Sequence, residues 1–296
     1  MTTPNFIIAG VARCGTTSLY HYLKQHPQIG FPKIKEPKYF SSLGIVFPHN
    51  GPGDHTVDAK IIKDKKQYFE LFADLNNFKA IGEASSDYFY YHKDTIPAIK
   101  QELGDVKIIL CFRNPIERAY SAYSNLLRDS RESTTFEEAI NLEEERLEKN
   151  YDWMWAYKKG GLYAEGLKLF QESFTNVKVI LLEDLESDPK SILEEVFEFL
   201  EVDQYNNIDV STKFSHSGKP KNKFIAKITD RNNKFFYTIR EAVLKLIPRK
   251  ITEKIAAKLF QKDEITPETR KQLQRFFKDD IAQLQQLLNK NLSHWK

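Results

Sequence analysis

The sequence predicts an α/β protein: a central parallel sheet flanked by helices, with a helical extension over about residues 222–296. Three observations point there. Short apolar or β-branched runs alternate with longer segments of helical period, the pattern of strands joined by crossover helices. Each run is apolar nearly throughout, as a strand covered on both faces must be. The final third carries helical spacing alone.

In chain order, strands are expected at Phe6 to Val11, Phe78 to Ile81, Val106 to Phe112 and Val177 to Leu182. Helices are expected from about Thr16 to Gln25, where Leu19 and Leu23 stand at i, i+4, and from about Pro115 to Leu127. Further helices follow over about Phe136 to Lys149, Leu162 to Glu172 and Pro189 to Leu200; in the last, Ile192, Val196, Phe197 and Leu200 form one apolar stripe. Pro267 suits a helix start, and Leu273, Phe277, Ile281, Leu284 and Leu288 keep helical spacing to about Asn289. No repeat of roughly 20 to 50 residues and no Ser/Gly/Pro-rich linker interrupts the chain, so a single domain over 1–296 is expected.

Composition bounds the function. With 296 residues, 41% hydrophobic and 13% aromatic, the chain can build a sizeable core, and 12 Gly and 12 Pro exclude collagen-like or low-complexity sequence. Its 44 Lys+Arg against 41 Asp+Glu leave a formal charge of +3, which argues against a protein that coats nucleic acid. The charge is uneven: residues 211–296 hold 20 basic and 8 acidic residues, a net of +12, on a body of −9. A basic quarter fits an anionic ligand or surface, and also an ordinary solvated helix face. Cys14 and Cys111 are too few for a disulfide framework, and no apolar run approaches the roughly 18 residues of a membrane span. A soluble, cytoplasmic protein is expected.

The most informative stretch follows the first strand: Gly10-Val-Ala-Arg13-Cys14-Gly15-Thr16-Thr17-Ser18-Leu19. A buried strand, a turn of small residues and a helix opening on hydroxyl residues gather backbone N–H groups and a helix dipole at one point, ready for a phosphate. The arrangement resembles a P-loop with a changed ending. Gly10-x4-Gly15 keeps the Walker A spacing, but Thr16 stands where the lysine would be and Arg13 brings the positive charge earlier. Arg13 is placed to reach both a 5′-phosphate and a group being transferred from it. A P-loop NTPase-like three-layer fold is the corresponding expectation.

After the third long strand comes Cys111-Phe-Arg113-Asn-Pro115-Ile-Glu-Arg118-Ala-Tyr-Ser121-Ala-Tyr123-Ser124. Strand C-termini are where open α/β sheets bind ligands, and Pro115 suits a first helical turn, so Arg113 and Ser121 are candidates to clamp a second phosphate.

These two segments together resemble the cofactor motifs of the PAPS-dependent sulfotransferases. The likeness continues through Lys35-Glu36-Pro37-Lys-Tyr39-Phe40, Gly82-Glu83-Ala-Ser85, Gly161-Leu-Tyr163-Ala-Glu165, Leu182-Glu-Asp184-Leu185, Ser217-Gly218-Lys219-Pro-Lys221 and Leu292-Ser-His-Trp295, and it is closer to the bacterial and Golgi carbohydrate-type branch. The resemblance implies that Arg13, Cys14, Gly15, Thr16, Thr17 and Ser18 bind the 5′-phosphosulfate of 3′-phosphoadenosine 5′-phosphosulfate (PAPS), and that Arg113 and Ser121 bind the 3′-phosphate. It further implies that Tyr163 lies near the nucleotide and that Ser217, Gly218, Lys219 and Lys221 belong to a loop closing over it. Many members carry lysine at the position of Arg13; arginine keeps the charge without an easily titrated proton, so electrostatic stabilisation of the leaving phosphate is the role implied.

An acceptor oxygen must lose a proton as it attacks sulfur. Glu36 matches the catalytic glutamate of the carbohydrate branch; alternatively it is a surface carboxylate balancing Lys35 and Lys38. His49 and His55 are alternative bases. Glu83, at a strand end, is a candidate to orient an acceptor or a lysine, although Ala84 stands where many relatives have lysine. No metal is expected: the seven histidines are dispersed, and no His-x3-His or Cys-x2-Cys pair occurs. The run Val179 to Asp184 reads superficially as a Walker B strand, which keeps a small-molecule kinase and a non-catalytic nucleotide- or glycan-binding module as alternatives. The expected acceptor is a small molecule, a glycan or a lipid. The Lys219 to Lys262 segment, with Phe224, Phe235, Phe236 and Tyr237, is expected to pack over the site, with peripheral membrane contact as the alternative.

Overall fold

The computed structural model describes residues 2–211, 219–220, 260–261 and 264–295. Its centre is a five-stranded, all-parallel sheet: β1 (Phe6–Gly10), β2 (Ile29–Gly30), β3 (Ala80–Ala84), β4 (Lys107–Phe112) and β5 (Val177–Leu181), in the spatial order β2-β3-β1-β4-β5. β1 and β3 are buried at every residue, because parallel strands with crossover helices have no face left for water. The helices are α1 (Thr16–Leu23), α2 (Tyr39–Ser42), α3 (His55–Asp58), α4 (Lys65–Glu70), α5 (His92–Leu103), α6 (Pro115–Arg128), α7 (Phe136–Asn141), α8 (Glu143–Glu148), α9 (Ala164–Ser173), α10 (Leu182–Ser187), α11 (Pro189–Phe199) and α12 (Pro267–Leu288). One hydrophobic cluster runs from Phe6 in β1 to Trp295 beyond α12.

The chain leaves β1 at the middle of the sheet and must travel far before either neighbour of β1 is made, so the crevice above its C-terminal end is a switch point where such sheets bind ligands. Gly82 shows how tightly β3 packs: a Cβ there would stand 2.3 Å from the Phe6 ring and 2.4 Å from that of Phe31.

Four expectations need correction. The strand read at Phe78 to Ile81 lies at Ala80–Ala84, because the Lys79 and Ala80 amides both donate to the Gln28 carbonyl and the pairing begins only there. The helix read over Phe136 to Lys149 is two helices, since Glu143 turns inward to accept the Lys158 and Lys159 amides at 2.7 and 2.8 Å. The helix read from Leu162 starts at Ala164, where the Asp280 carboxylate accepts the Tyr163 and Ala164 amides. The final third is not wholly helical: Lys219–Pro220 pairs antiparallel with Phe260–Gln261 (β6 and β7) before α12 begins. The short edge strand β2 and helices α2 to α5 have no counterpart in the sequence reading.

The C-terminal residues lock the sheet's working end. Asn114 caps α6 by accepting the Ile116 amide at 3.0 Å, and its Nδ2 donates to the carbonyl of Trp295, a residue with 1% of its surface exposed.

Candidate active site

The loop after β1 is shaped by long-range contacts. The Val11 amide donates to the Cys111 carbonyl of β4 at 2.9 Å. Arg118 of α6, fully buried, donates from Nε to the Ala12 carbonyl at 3.4 Å and from Nη1 to the Ala156 carbonyl at 2.7 Å. Gly15 then opens α1 with φ 93°, and a Cβ on it would meet Leu182 Cδ1 at 2.7 Å, so glycine is required on both counts. No side chain caps α1 and no acidic residue stands in its first turn. The first-turn amides, which have no acceptor within a helix, are therefore open to an anion.

Arg13 turns into this space. Its Nε donates to Ser121 Oγ at 3.1 Å and its Nη1 to Asn125 Oδ1 at 3.4 Å, while Arg113 Nη1 donates to the Arg13 carbonyl at 3.4 Å. Residues expected to serve two different phosphates are thus joined through one guanidinium. Burial, and then the charges of Arg128 and Arg113, lower the pKa of Arg13 to about 9, with Asp129 giving partial compensation. Like charges held this close mark a place where anionic charge is stabilised.

Across the cleft stands Glu36. Its amide donates to the Ala84 carbonyl of β3 at 3.0 Å, and its Oε1 accepts from Lys35 Nζ at 2.7 Å and Ser86 Oγ at 3.2 Å. Lys35 Nζ also donates to Thr17 Oγ1 at 3.3 Å, so one ammonium links the anion loop to the carboxylate. Burial would raise the pKa of Glu36, but Lys35 and Lys38 outweigh it and hold the group down at about 2. Glu36 is thus both paired with lysine and turned toward the cleft. That cleft, of about 200 Å³, is lined by Arg13, Thr16, Thr17, Glu36, Lys38 and Ser86 among others. Arg13, Glu36 and Lys38 have positive φ of 72°, 58° and 57°, a backbone state that surrounding packing must enforce in non-glycine residues.

Other expected residues lie elsewhere. Cys14 and Tyr163 are fully buried beneath the loop; the Tyr163 hydroxyl donates to the Arg113 carbonyl at 3.1 Å and lies 3.7 Å from Cys14 Sγ, and its ring stacks on Phe112 at 4.6 Å. These two side chains hold up the loop from below. His55 is exposed, and His49 is buried with Nδ1 2.6 Å from Asp58 Oδ1 in a neighbouring cavity, so neither imidazole lines the cleft of Glu36. Glu83 is fully buried in β3, accepts from the Tyr68 hydroxyl at 3.2 Å, and is pushed up to about 7 chiefly by burial. It is not in the cleft lining. Ser217, Gly218 and Lys221 lie outside the described residues, and Lys219 is described only as a strand position. Among the described residues no group of three His, Cys, Asp or Glu is placed to hold a metal ion. Glu183 accepts the Asn114 amide at 3.2 Å and Asp184 pairs with Lys290.

The sequence reading missed Asn125, Asp129, Arg131 and Trp153, all of which line the cleft. Asn125 was within reach, since Arg118, Ser121 and Asn125 fall on one helix face at i, i+3 and i+7. Arg131 arrives through a loop and Trp153 at the start of a short 3-10 turn over Trp153–Trp155, and no local pattern announces them.

A family model described as the sulfotransferase domain matches residues 3–288. The chain is 32% identical to a sulfotransferase from Alicyclobacillus acidocaldarius, whose crystal structure superposes with a TM-score of 0.80 over 100% of this chain and 99% of that one. A mouse sulfotransferase crystallised with PAP shares the fold at a TM-score of 0.50 and 14% identity, over 94% of this chain and 84% of that one. The membrane-associated sulfotransferase kil1 of Dictyostelium discoideum is 37% identical over 120 residues, 40% of this chain and 22% of that protein. Carbohydrate sulfotransferase 15 of Mus musculus is 27% identical over 250 residues, 67% of this chain and 43% of that protein. The chain thus spans less than half the length of these curated relatives. The three-layer P-loop NTPase-like fold of the solved neighbours is the fold found here.

Proposed function

The chain belongs to the sulfotransferase family, enzymes that transfer sulfate, and on that premise we propose that it moves a sulfuryl group from PAPS to a hydroxyl of a carbohydrate, lipid or secondary metabolite, with an amine as second choice. The observation that carries this reading is one cleft in which an uncapped helix start, a guanidinium lowered by burial and by neighbouring arginines, and a carboxylate paired with lysine face the same space. PAPS supplies the two anionic ends that such a space accommodates. Its 5′-phosphosulfate fits the first-turn amides with Thr16, Thr17 and Arg13, and its 3′-phosphate fits Arg113 and Ser121.

The acceptor oxygen attacks sulfur in line with the bridging oxygen of the phosphosulfate. A new O–S bond forms, the S–O bond to the 5′-phosphate breaks, and PAP leaves with the electron pair. The acceptor proton passes to Glu36, which Lys35 and Lys38 keep ionised and therefore able to accept it. Arg13 and the loop amides stabilise the charge gathering on the leaving phosphate. Lys35, between Thr17 Oγ1 and Glu36, is placed to follow the transferred sulfonate from donor toward acceptor. Loose transition states of this kind respond to positioning and positive charge, so the chain's own groups suffice for the step.

The test is a thermal-shift comparison of PAP, ADP, AMP and ATP with Mg²⁺, since a ligand that binds the native state raises its apparent stability. Selective stabilisation by PAP is expected, followed by release of PAP from PAPS in the presence of acceptor. Stabilisation by ATP with Mg²⁺ alone would instead make the chain a kinase, and PAP binding without turnover a binding module.

A further inference from the structure

The cleft of Glu36 has a neighbour. Trp153 lines it and also lines a second cavity of about 240 Å³, whose walls include Val46, Tyr90, Tyr91, Leu147 and Tyr151. Lys38 Nζ stands 5.2 Å from the Trp153 ring, and the Tyr90 ring lies 6.3 Å from that of Trp153. One indole therefore separates two rooms of opposite character. The first holds Arg13, Lys38, Arg131, Glu36 and Asp129; among the described residues no Lys, Arg, Asp or Glu lines the second.

The second room is a built site. Asn150, at φ 60°, donates from Nδ2 to the Val46 and Pro48 carbonyls at 3.0 and 2.9 Å, fixing the wall that carries Val46. Its buried polar group is His49, whose side chain is 2% exposed. Asp58 Oδ1, 2.6 Å from Nδ1, fixes the imidazole, so that Nε2 is the ring nitrogen left for a ligand hydroxyl. Leu43 and Val46, 55% and 73% exposed, add apolar surface close by.

We propose that this cavity receives the body of an uncharged acceptor that carries an aromatic or other apolar group beside its reacting hydroxyl, which then reaches past Trp153 to Glu36. The inference rests on the sulfuryl-transfer reading of the adjoining cleft and adds the acceptor's chemical class to it. Aromatic walls gain from covering an apolar body. A polyanionic acceptor would surrender hydration there and find no lysine or arginine among the described lining residues in return.

The experiment measures equilibrium binding of 2-naphthol and of a sulfated heparin-derived tetrasaccharide to the PAP-saturated protein, in the wild type, Leu147→Arg and Val46→Arg; Val46 is exposed enough for its variant to fold. PAP affinity is read first for each protein. We expect saturable 2-naphthol binding that Leu147→Arg weakens by about tenfold or more, with PAP affinity unchanged, and wild-type binding of the tetrasaccharide at least about tenfold weaker than that of 2-naphthol. Val46→Arg is expected to shift preference toward the tetrasaccharide. No saturable 2-naphthol binding, binding that both variants leave unchanged, or a wild-type preference for the tetrasaccharide would each overturn the acceptor class while PAP binding stands. Failure of the wild type to bind PAP would remove the sulfuryl-transfer reading itself, and this inference with it.

Discussion

Two glutamates, Glu83 fully buried and Glu36 half-buried, stand on adjoining segments of this molecule and are driven in opposite directions. Glu83, inside β3, is pushed up to about 7 by burial, with the Asp87 charge adding to it and the Ser85, Tyr88 and Tyr68 hydroxyls offsetting part of it. Glu36, whose amide is tied to the carbonyl of the next strand residue, Ala84, is held down at about 2. The difference is two ammonium groups: Lys35 and Lys38 offset the cost of desolvating Glu36, and among the described residues no cation does so for Glu83. The proton-accepting role proposed for Glu36 requires an ionised carboxylate, the form that the two lysines favour. Glu83 instead keeps its proton over much of the working range and serves the strand.

Removing the charge at Glu36 tests this contrast most severely. Glu36→Gln is expected to lower kcat on the order of 10²-fold or more while PAP binding is retained, as steady-state kinetics beside calorimetry will read. Unchanged turnover would take Glu36 out of the mechanism. Glu83→Gln is expected to act on stability instead. Because its folded pKa lies above the ordinary 4.5, the group costs nothing below pH 4.5, and stability falls as pH rises from there to about 7, by up to about 3 kcal/mol. Denaturant titrations across that window should show the decline in the wild type and its absence in the variant. Glu36 has the opposite sign: its contribution is present above pH 4.5 and is lost as pH falls toward 2.

On the donor side, Arg113→Ala is expected to weaken PAP by about 1.5 to 3 kcal/mol through loss of a charged hydrogen bond, and equal affinities in calorimetry would refute that contact. The smallest effect concerns the lysine that makes the two glutamates differ. Lys35→Ala should raise the pKa of Glu36, moving the acid limb of the kcat/KM profile to higher pH. A profile that stays in place would assign the depression to Lys38 alone.

Much of this was legible in the sequence, for identifiable reasons. β1 is an apolar run without a charge, β4 and β5 are apolar apart from Lys107 and Lys178, and the loop from Gly10 to Ser18 advertises its proposed anion site through residue types that backbone geometry demands. β3 was misplaced because Gly82, Glu83 and Ala84 do not look like a strand core; its glycine is there to admit two phenyl rings, and its acid is buried. The candidate site was legible as segments but not as an assembly. That Arg13 reaches Ser121 and Asn125, and that Lys35 spans Thr17 and Glu36, depends on where two loops and two helices come to rest. Trp153, the partition between the two rooms, follows no pattern at all.

The position of β1 has a consequence for the order in which the molecule comes into being. Both of its partners, β3 and β4, come from far along the chain, and the loop after it takes shape only when Val11 meets Cys111 and Arg118 reaches Ala12. Closures over such distances are slow compared with helix formation. A nascent or refolding chain with all its local helices in place would still lack a pocket for nucleotide. The proposed nucleotide site is therefore assembled late, and its completion coincides with that of the sheet.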